Sequence, residues 1–317
     1  MSVHELNLPP DEPLPAFPLG QLQRWAEQRP LQIALRHRRR GVWKAWRWID
    51  VQREVERLAA ALREQGLEPG ARLALCGAFE PTLLLLALAG QHLGARVLTV
   101  SRQAKGEALR RLLRQARPAF AYVQRRENVS DWLEAGDTSQ PLRLFSAQAA
   151  ARVRGAWQVL PLSVLLAGEP AEALSLGWRQ AAGAPLAWCD EGTEWRDGLG
   201  HILALWLKQG TGFAFPETSE SASRDRREVA PAVLLLSEPR LQALAAEIDS
   251  RLAPPGSWRR RLCDWTLANP QQAPRRWIKA RVRELLGFRR LQRILVGAPA
   301  PAASGPVWLS EYLERAA

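Results

Sequence analysis

The chain is poor in cysteine, lysine, tyrosine and methionine, and it has no long apolar run. Its three cysteines, Cys76, Cys189 and Cys263, lie far apart and form no CxxC pair. That spacing argues against a zinc site and more strongly against a disulfide framework, so a reducing cytoplasm fits. The longest apolar run, Leu83–Ala89, is far short of the ~20 residues a spanning helix needs. The opening MSVHELNLPPDEPLPAFP is acidic and proline-rich without an apolar centre, so it does not read as a signal peptide. These absences lead us to expect a cytoplasmic protein, soluble or peripheral to a membrane.

What is there is arginine and tryptophan. The formal net charge is +12, and with only four lysines (Lys44, Lys105, Lys208 and Lys279) 40 of the 44 basic residues are arginine. Fourteen tryptophans stand against two tyrosines. A basic surface favours anionic partners: membrane headgroups, nucleic acid or acidic proteins. At 317 residues the chain can bury a large core as one domain or two lobes.

Residues 1–18, with five prolines, read as an extended arm. A helix is expected over Leu19–Gln28. Ile33, Leu35 and His37 then alternate as a strand does, Arg38–Gly41 reads as a solvated turn, and Trp43, Trp46 and Trp48 as the returning strand. Asp50 is a candidate N-cap for an amphipathic helix that Gly66 closes. Strands are expected at Arg72–Cys76, Arg96–Val100 and Ala119–Val123. Between them lie a buried helix, Pro81–Leu93, and an amphipathic one, Lys105–Ala116. This order argues for a mostly parallel sheet covered on both faces.

Residues 124–196 are less regular, with short strands expected at Leu142–Phe145 and Trp157–Leu160. Further on, a helix is expected at Asp197–Gln209 and strands at Thr211–Phe215, Ala232–Leu236 and Arg293–Gly297. TSESASRDRRE reads as a polar loop. Helices are expected at Arg240–Leu252, Trp258–Ala268 and Pro274–Leu286, with a short one ending the chain. The domain division read from this pattern is an arm (1–18), a first α/β lobe (19–160), a connector (161–196) and a second lobe (197–317).

Two stretches resemble a known family. In residues 19–123, AEQRPLQIALR, GVWKAWRWIDV, LREQGLEPGARLALCG and LAGQHLGARVLTV follow the opening pattern of AMP-forming long-chain acyl-CoA synthetases, which are adenylate-forming enzymes. In residues 194–301, EWRDGLGHILALWLKQGTGFAFPE, REVAPAVLLLSEPRLQALAAEID, SWRRRLCDWTLA and RRLQRILVGAPAP run in the family's order. The resemblance implies an α/β fold: an incomplete adenylate-forming N-terminal domain, with mostly parallel sheets flanked by helices.

The family activates a carboxylate with ATP and magnesium and passes the acyl group to CoA. Its triphosphate loop is rich in Ser, Thr and Gly and ends in Lys-Gly, so that backbone N–H groups and a cation meet the phosphates. The resemblance places that loop between about residues 150 and 195, where VLPLSVLLAGEPAEALSLGWRQAAGAPLAWCDEG holds no such run and no lysine. A shortened connector is the expectation there. Neither Tyr122 nor Tyr312 starts the Tyr-Gly-x-Thr-Glu segment that closes on adenine. The ribose-binding Asp, the hinge and the C-terminal catalytic Lys also find no counterpart. No catalytic, cofactor-binding or metal-binding residue is therefore assigned, and no cofactor is expected. The resemblance implies a catalytically impaired homologue in fatty-acid metabolism that regulates or scaffolds, with an acyl chain, acyl-CoA or a partner enzyme as its ligand. An active or split acyl-CoA ligase, and a basic membrane-surface or lipid-granule protein, stay open as alternatives.

Residues 274–293 carry eight basic side chains and one acidic one among Trp277, Ile278, Val282, Leu285, Leu286 and Phe288. Arg275, Arg276, Trp277, Lys279, Arg281, Arg283, Arg289 and Arg290 form a candidate membrane or partner surface. A packed helix with a solvated basic face is the alternative. Nucleic acid is disfavoured, since no helix-turn-helix, RNA-binding strand motif or zinc finger is present. Glu194 and Arg196 read as a structural ion pair, and His92 as a capping or core histidine. His201, among Asp190, Glu191, Glu194 and Asp197, lacks the GxSxG elbow of a hydrolase. The tryptophans of the 43–48 arm read as staples of a hairpin to its core.

Overall fold

A computed structural model describes residues 19–166, 174–176, 185–252, 254, 256–268, 273–297 and 313–315. The expected arm over residues 1–18 and much of the expected connector lie outside the described residues. In chain order the first elements are α1 (Leu19–Gln28), β1 (Ile33–Arg39), β2 (Val42–Arg47), α2 (Trp48–Glu64), β3 (Arg72–Cys76) and α3 (Pro81–His92). Then come β4 (Arg96–Thr99), α4 (Gly106–Ala116), β5 (Phe120–Val123), α5 (Arg126–Ala135), β6 (Leu142–Ser146), β7 (Arg152–Arg154) and β8 (Trp157–Pro161). After β9 (Leu174–Leu176) and β10 (Leu186–Trp188), α6 (Gly198–Leu203) runs on as a π-helical turn over Ala204–Lys208. The remainder is β11 (Gly212–Phe215), α7 (Ala222–Val229), β12 (Val233–Leu236), α8 (Glu238–Arg251), α9 (Trp258–Ala268), α10 (Ala273–Leu286), β13 (Arg293–Val296) and β14 (Leu313–Arg315).

The chain divides into two compact units, each discontinuous in sequence. Unit 1 takes residues 1–30, 48–172 and 192–203; unit 2 takes 31–47, 173–191 and 204–317. Unit 1 holds a six-stranded sheet in the order β4-β3-β5-β6-β8-β7, parallel except for β7 against β8. Alternate residues of β3 face opposite sides, as the pleat requires. Ala74 and Cys76 join Leu109 and Leu113 of α4 and Val129 and Trp132 of α5 in one core. Leu73 and Val97 instead lie beneath Gly90 of α3. Helix α3 is buried at Pro81 and from Leu83 through Gly90, which is why its sequence shows no polar face. The expected closure of α2 holds: Gly66 has φ +85°, and the Leu67 N–H returns to the Leu62 carbonyl at 2.9 Å.

Unit 2 holds an eight-stranded sheet, β14-β13-β12-β10-β11-β1-β2-β9. It is parallel from β14 to β1 and antiparallel from β1 through β2 to β9. Because β1 lies inside this sheet, Ala34, Leu35, Arg36 and His37 are all buried and the expected alternation is lost.

Several expectations are corrected. Trp48 is not in the returning strand but begins α2, so Asp50 stands inside the first turn rather than at the N-cap. Trp43 and Trp48 are nonetheless buried. Helix α5 occupies part of the stretch that looked irregular; Val129, Trp132 and Leu133 face the core while polar residues fill the gaps. Most of the expected polar loop is α7. Its Asp225 is fully buried against Arg38 at 3.0 Å, and its Arg226 is buried against Glu247 at 2.8 Å. At the chain end Leu313–Arg315 pairs with β13 as a parallel strand where a helix was expected. His92 is exposed in the last turn of α3 and is not a core residue.

Two measurements follow. Leu86→Ala should cost about 2–5 kcal/mol in urea unfolding, and Val153→Ala, at an exposed site, under about 0.5. Burial, helped by the charge of Arg39, lowers the pKa of His37 from 6.5 to about 4. Between those values the unfolded chain binds the proton and the folded chain does not, so stability must fall as pH drops below 6.5. The loss should approach roughly 3 kcal/mol by pH 4. His37→Gln should flatten that slope; an unchanged slope would place the acid sensitivity elsewhere.

Candidate functional site

In open α/β sheets ligands bind beyond the carboxyl ends of the parallel strands. Strand β10 lies inside the parallel part of the unit 2 sheet, between β12 and β11. Residues 189–197 follow it and lead into α6. A strand, a loop and a helix start are the parts from which phosphate loops are made. The window expected from the resemblance, about residues 150–195, closes within this stretch, and residues 167–173 and 177–184 of it lie outside the described residues. The ten residues 189–198 read CDEGTEWRDG. They carry four carboxylates, Asp190, Glu191, Glu194 and Asp197, against the single cation of Arg196.

The first three of these residues are held within unit 2. Asp190 is bidentate with Arg240, whose Nε donates to Oδ1 at 2.9 Å. The Asp190 side chain is 2% exposed, so this is a desolvated pair. Burial works against the Arg240 charge, but the hydrogen bonds and charge of Asp190 prevail and raise its pKa. Glu191 sits at the start of α8. It accepts the Ser237 N–H at 2.7 Å and a hydrogen bond from the Ser237 hydroxyl. Ser237 also caps α8 by accepting the Arg240 N–H at 3.3 Å. A carboxylate from the chain itself therefore occupies the anion-binding end of α8. The network extends to Glu247, which meets Arg226 at 2.8 Å, Arg251 at 3.6 Å and Arg240 at 3.8 Å.

The later residues are held within unit 1. Gly192 forms a bridge with Ala78, just past β3. Gly77 and Thr193 exchange two bonds: the Thr193 N–H reaches the Gly77 carbonyl at 2.9 Å, and the Gly77 N–H reaches Thr193 Oγ1 at 3.1 Å. A Cβ on Gly192 would come within 2.5 Å of the Gly77 carbonyl, so only glycine fits. The Gly192 N–H donates to Glu194 at 2.9 Å, and Arg102 donates to the same carboxylate at 2.6 Å. The expected Glu194–Arg196 pair is thus replaced by Glu194–Arg102. Trp195 stacks on His201 with ring centroids 5.6 Å apart. Burial lowers the His201 pKa, opposed by the charge of Asp197. Beneath the loop, burial pushes the Cys76 thiol up to about 12, which keeps it protonated and unreactive.

A triphosphate needs outward-facing N–H groups, hydroxyls and a cation. Here the N–H groups of Gly192, Thr193, Trp195, Gly198 and Ser237 are bonded to the chain's own oxygens, and the Thr193 hydroxyl accepts from Gly77. Residues 189–198 do not fit an ATP triphosphate. Among the described residues no group of three His, Cys, Asp or Glu could hold a metal ion.

The basic residues singled out from the sequence lie on and after α10. Arg275 and Arg276 belong to that helix, but their side chains lie outside the described residues. Trp277, Arg281, Arg289 and Arg290 are exposed, and Lys279 is half-buried. Arg283 turns inward, donating to the carbonyls of Phe288 at 3.3 Å and Leu291 at 3.1 Å. It therefore tethers the chain after α10 rather than joining a free basic face.

Comparison with known proteins accords with this fold. Residues 22–163 match the family model described as AMP-binding enzyme. The match covers less than half of the chain. Its fold matches the A-PCP didomain of a Segniliparus rugosus carboxylic acid reductase in complex with AMP (TM-score 0.64, 14% identity, 93% of this chain and 50% of that one). It also matches acetoacetyl-CoA synthetase from Streptomyces lividans (TM-score 0.56, 15% identity, 92% and 49%). The adenylation domain of a Mycobacterium chelonae carboxylate reductase is a third (TM-score 0.61, 15% identity, 93% and 56%). The chain thus spans about half the length of these chains. No curated protein matches it. No described helix is long and apolar enough to cross a membrane.

Removing the Arg240 side chain should expose the cost of the Asp190 carboxylate. Arg240→Ala is expected to destabilise unit 2 by about 3–5 kcal/mol in urea unfolding. Asp190→Asn combined with Arg240→Met should recover much of that loss; no recovery would mean the pair is not what holds the strand end.

Proposed function

We propose that this acyl-CoA synthetase-like protein does not adenylate a carboxylate and acts in acyl metabolism as a regulatory or scaffolding pseudoenzyme. One observation carries the reading: the loop after β10, at the carboxyl end of the parallel strands, carries four carboxylates, and three of them, Asp190, Glu191 and Glu194, take their partners from within the chain. A phosphate brought to this loop would face like charge at short range and would have to break buried hydrogen bonds. Acetoacetyl-CoA synthetase among the matching folds supports a connection with acyl and CoA chemistry. The retained fold is suited to an acyl chain, an acyl-CoA or a partner enzyme.

A second reading, one part of a split ligase, draws on the chain's spanning only about half of the matching structures. Thermal shift and pyrophosphate release separate the two. The pseudoenzyme should show no melting shift with magnesium ATP and no pyrophosphate from ATP, fatty acid and CoA, while a fatty acid or acyl-CoA raises the melting temperature. A ligand present at 100 times its Kd adds about 2.7 kcal/mol, well within detection. Pyrophosphate release by the protein alone would overturn the proposal; release only after a second chain is added would favour the split enzyme.

A further inference from the structure

We propose that α9 and α10 form a docking surface for anionic phospholipid membranes. Residues 256–293 hold eleven Lys and Arg against Asp264 and Glu284, so this segment supplies +9 of the chain's net +12. The charge is joined by exposed aromatic surface. Every exposed tryptophan among the described residues lies on these two helices: Trp258 at 68%, Trp265 at 41% and Trp277 at 72%. Leu262 and Leu285 are exposed beside them in sequence. Trp258, Leu262 and Trp265 follow the i, i+4, i+7 spacing of one helix face, and Trp277, Arg281 and Leu285 the i, i+4, i+8 spacing of another. The two helices pack on each other within unit 2.

The chemistry of the occupant follows from this mixture. Indole rings are favoured at the level of lipid headgroups, where one edge is apolar and the other wet. Arginines beside them reach phosphate oxygens while their stems lie along apolar surface. A shallow groove lined by Trp277, Ala280, Arg281, Arg283, Glu284 and Arg289 offers two outward guanidiniums, those of Arg281 and Arg289, shared with only one carboxylate. Glu284 meets Arg281 at 2.6 Å and Arg289 at 3.9 Å, so a phosphate can compete for both guanidiniums at these solvent-exposed pairs. An acidic protein would satisfy the arginines but leave the scattered indoles without a reason to protrude. The inference is independent of whether the loop after β10 binds nucleotide.

Co-sedimentation of the full chain with phosphatidylcholine vesicles, with and without phosphatidylserine, tests it. Binding is expected with phosphatidylserine only, and it should weaken as salt is raised. Each basic residue near an anionic surface is worth about 1 kcal/mol, so Arg281→Glu with Arg289→Glu should weaken binding at least about 25-fold. Trp258→Ala with Trp277→Ala should also weaken it several-fold. All four positions are exposed, and unchanged circular dichroism and melting would exclude misfolding. No binding to either vesicle would overturn the proposal. So would loss on charge reversal with no loss in the tryptophan variants, a result that points to an acidic protein.

Discussion

A backbone anion site works only while its N–H groups point outward with nothing of the chain's own to bind. In this protein that condition is broken at one loop, and the surroundings follow from it. Glu191 takes the start of α8 and Glu194 takes the Gly192 N–H. Asp190 and Glu194 then need arginines, which Arg240 and Arg102 supply. A buried carboxylate without such a partner would not stay charged. The loop is therefore committed to structure on both sides: unit 2 up to Glu191, unit 1 from Gly192 onward. The fold shared with the matching structures is held by packing, and packing does not require phosphate contacts.

How much could be read from the sequence depends on which force sets each element. The apolar run of α3, the glycine stop after α2 and the strands β3 and β5 were legible because burial and backbone conformation alone determine them. Helix α7 was not. ASRDRREV looks solvated, yet Asp225 and Arg226 are buried through partners far away in sequence, Arg38 and Glu247. Pairing at that range leaves no local trace. Helix α5 was missed for a milder reason: its four core residues, Val129, Trp132, Leu133 and Ala135, are spread among polar ones, though the first three keep helical spacing.

The candidate site was half legible. Absence of a Ser/Thr/Gly run was visible, but which donors the carboxylates of residues 189–198 take was not, because the bonds from Ser237 and Arg102 cross long sequence distances. The three-residue strand β10, flanked by β11 and β12, shows where residues 189–197 leave the sheet. Three of their carboxylates, those of Asp190, Glu191 and Glu194, are met from within the chain. The basic segment was legible as charge, but that Arg283 turns inward while Trp277 stays exposed required the coordinates.

Amide hydrogen exchange at Gly192, Thr193 and Ser237, with and without magnesium ATP, tests the central claim most directly. These N–H groups are bonded to Glu194, Gly77 and Glu191 in the free protein. They should exchange slowly without nucleotide, and ATP should leave their rates unchanged. Rapid exchange in the free protein that ATP suppresses would show a loop open to phosphate and would contradict the account.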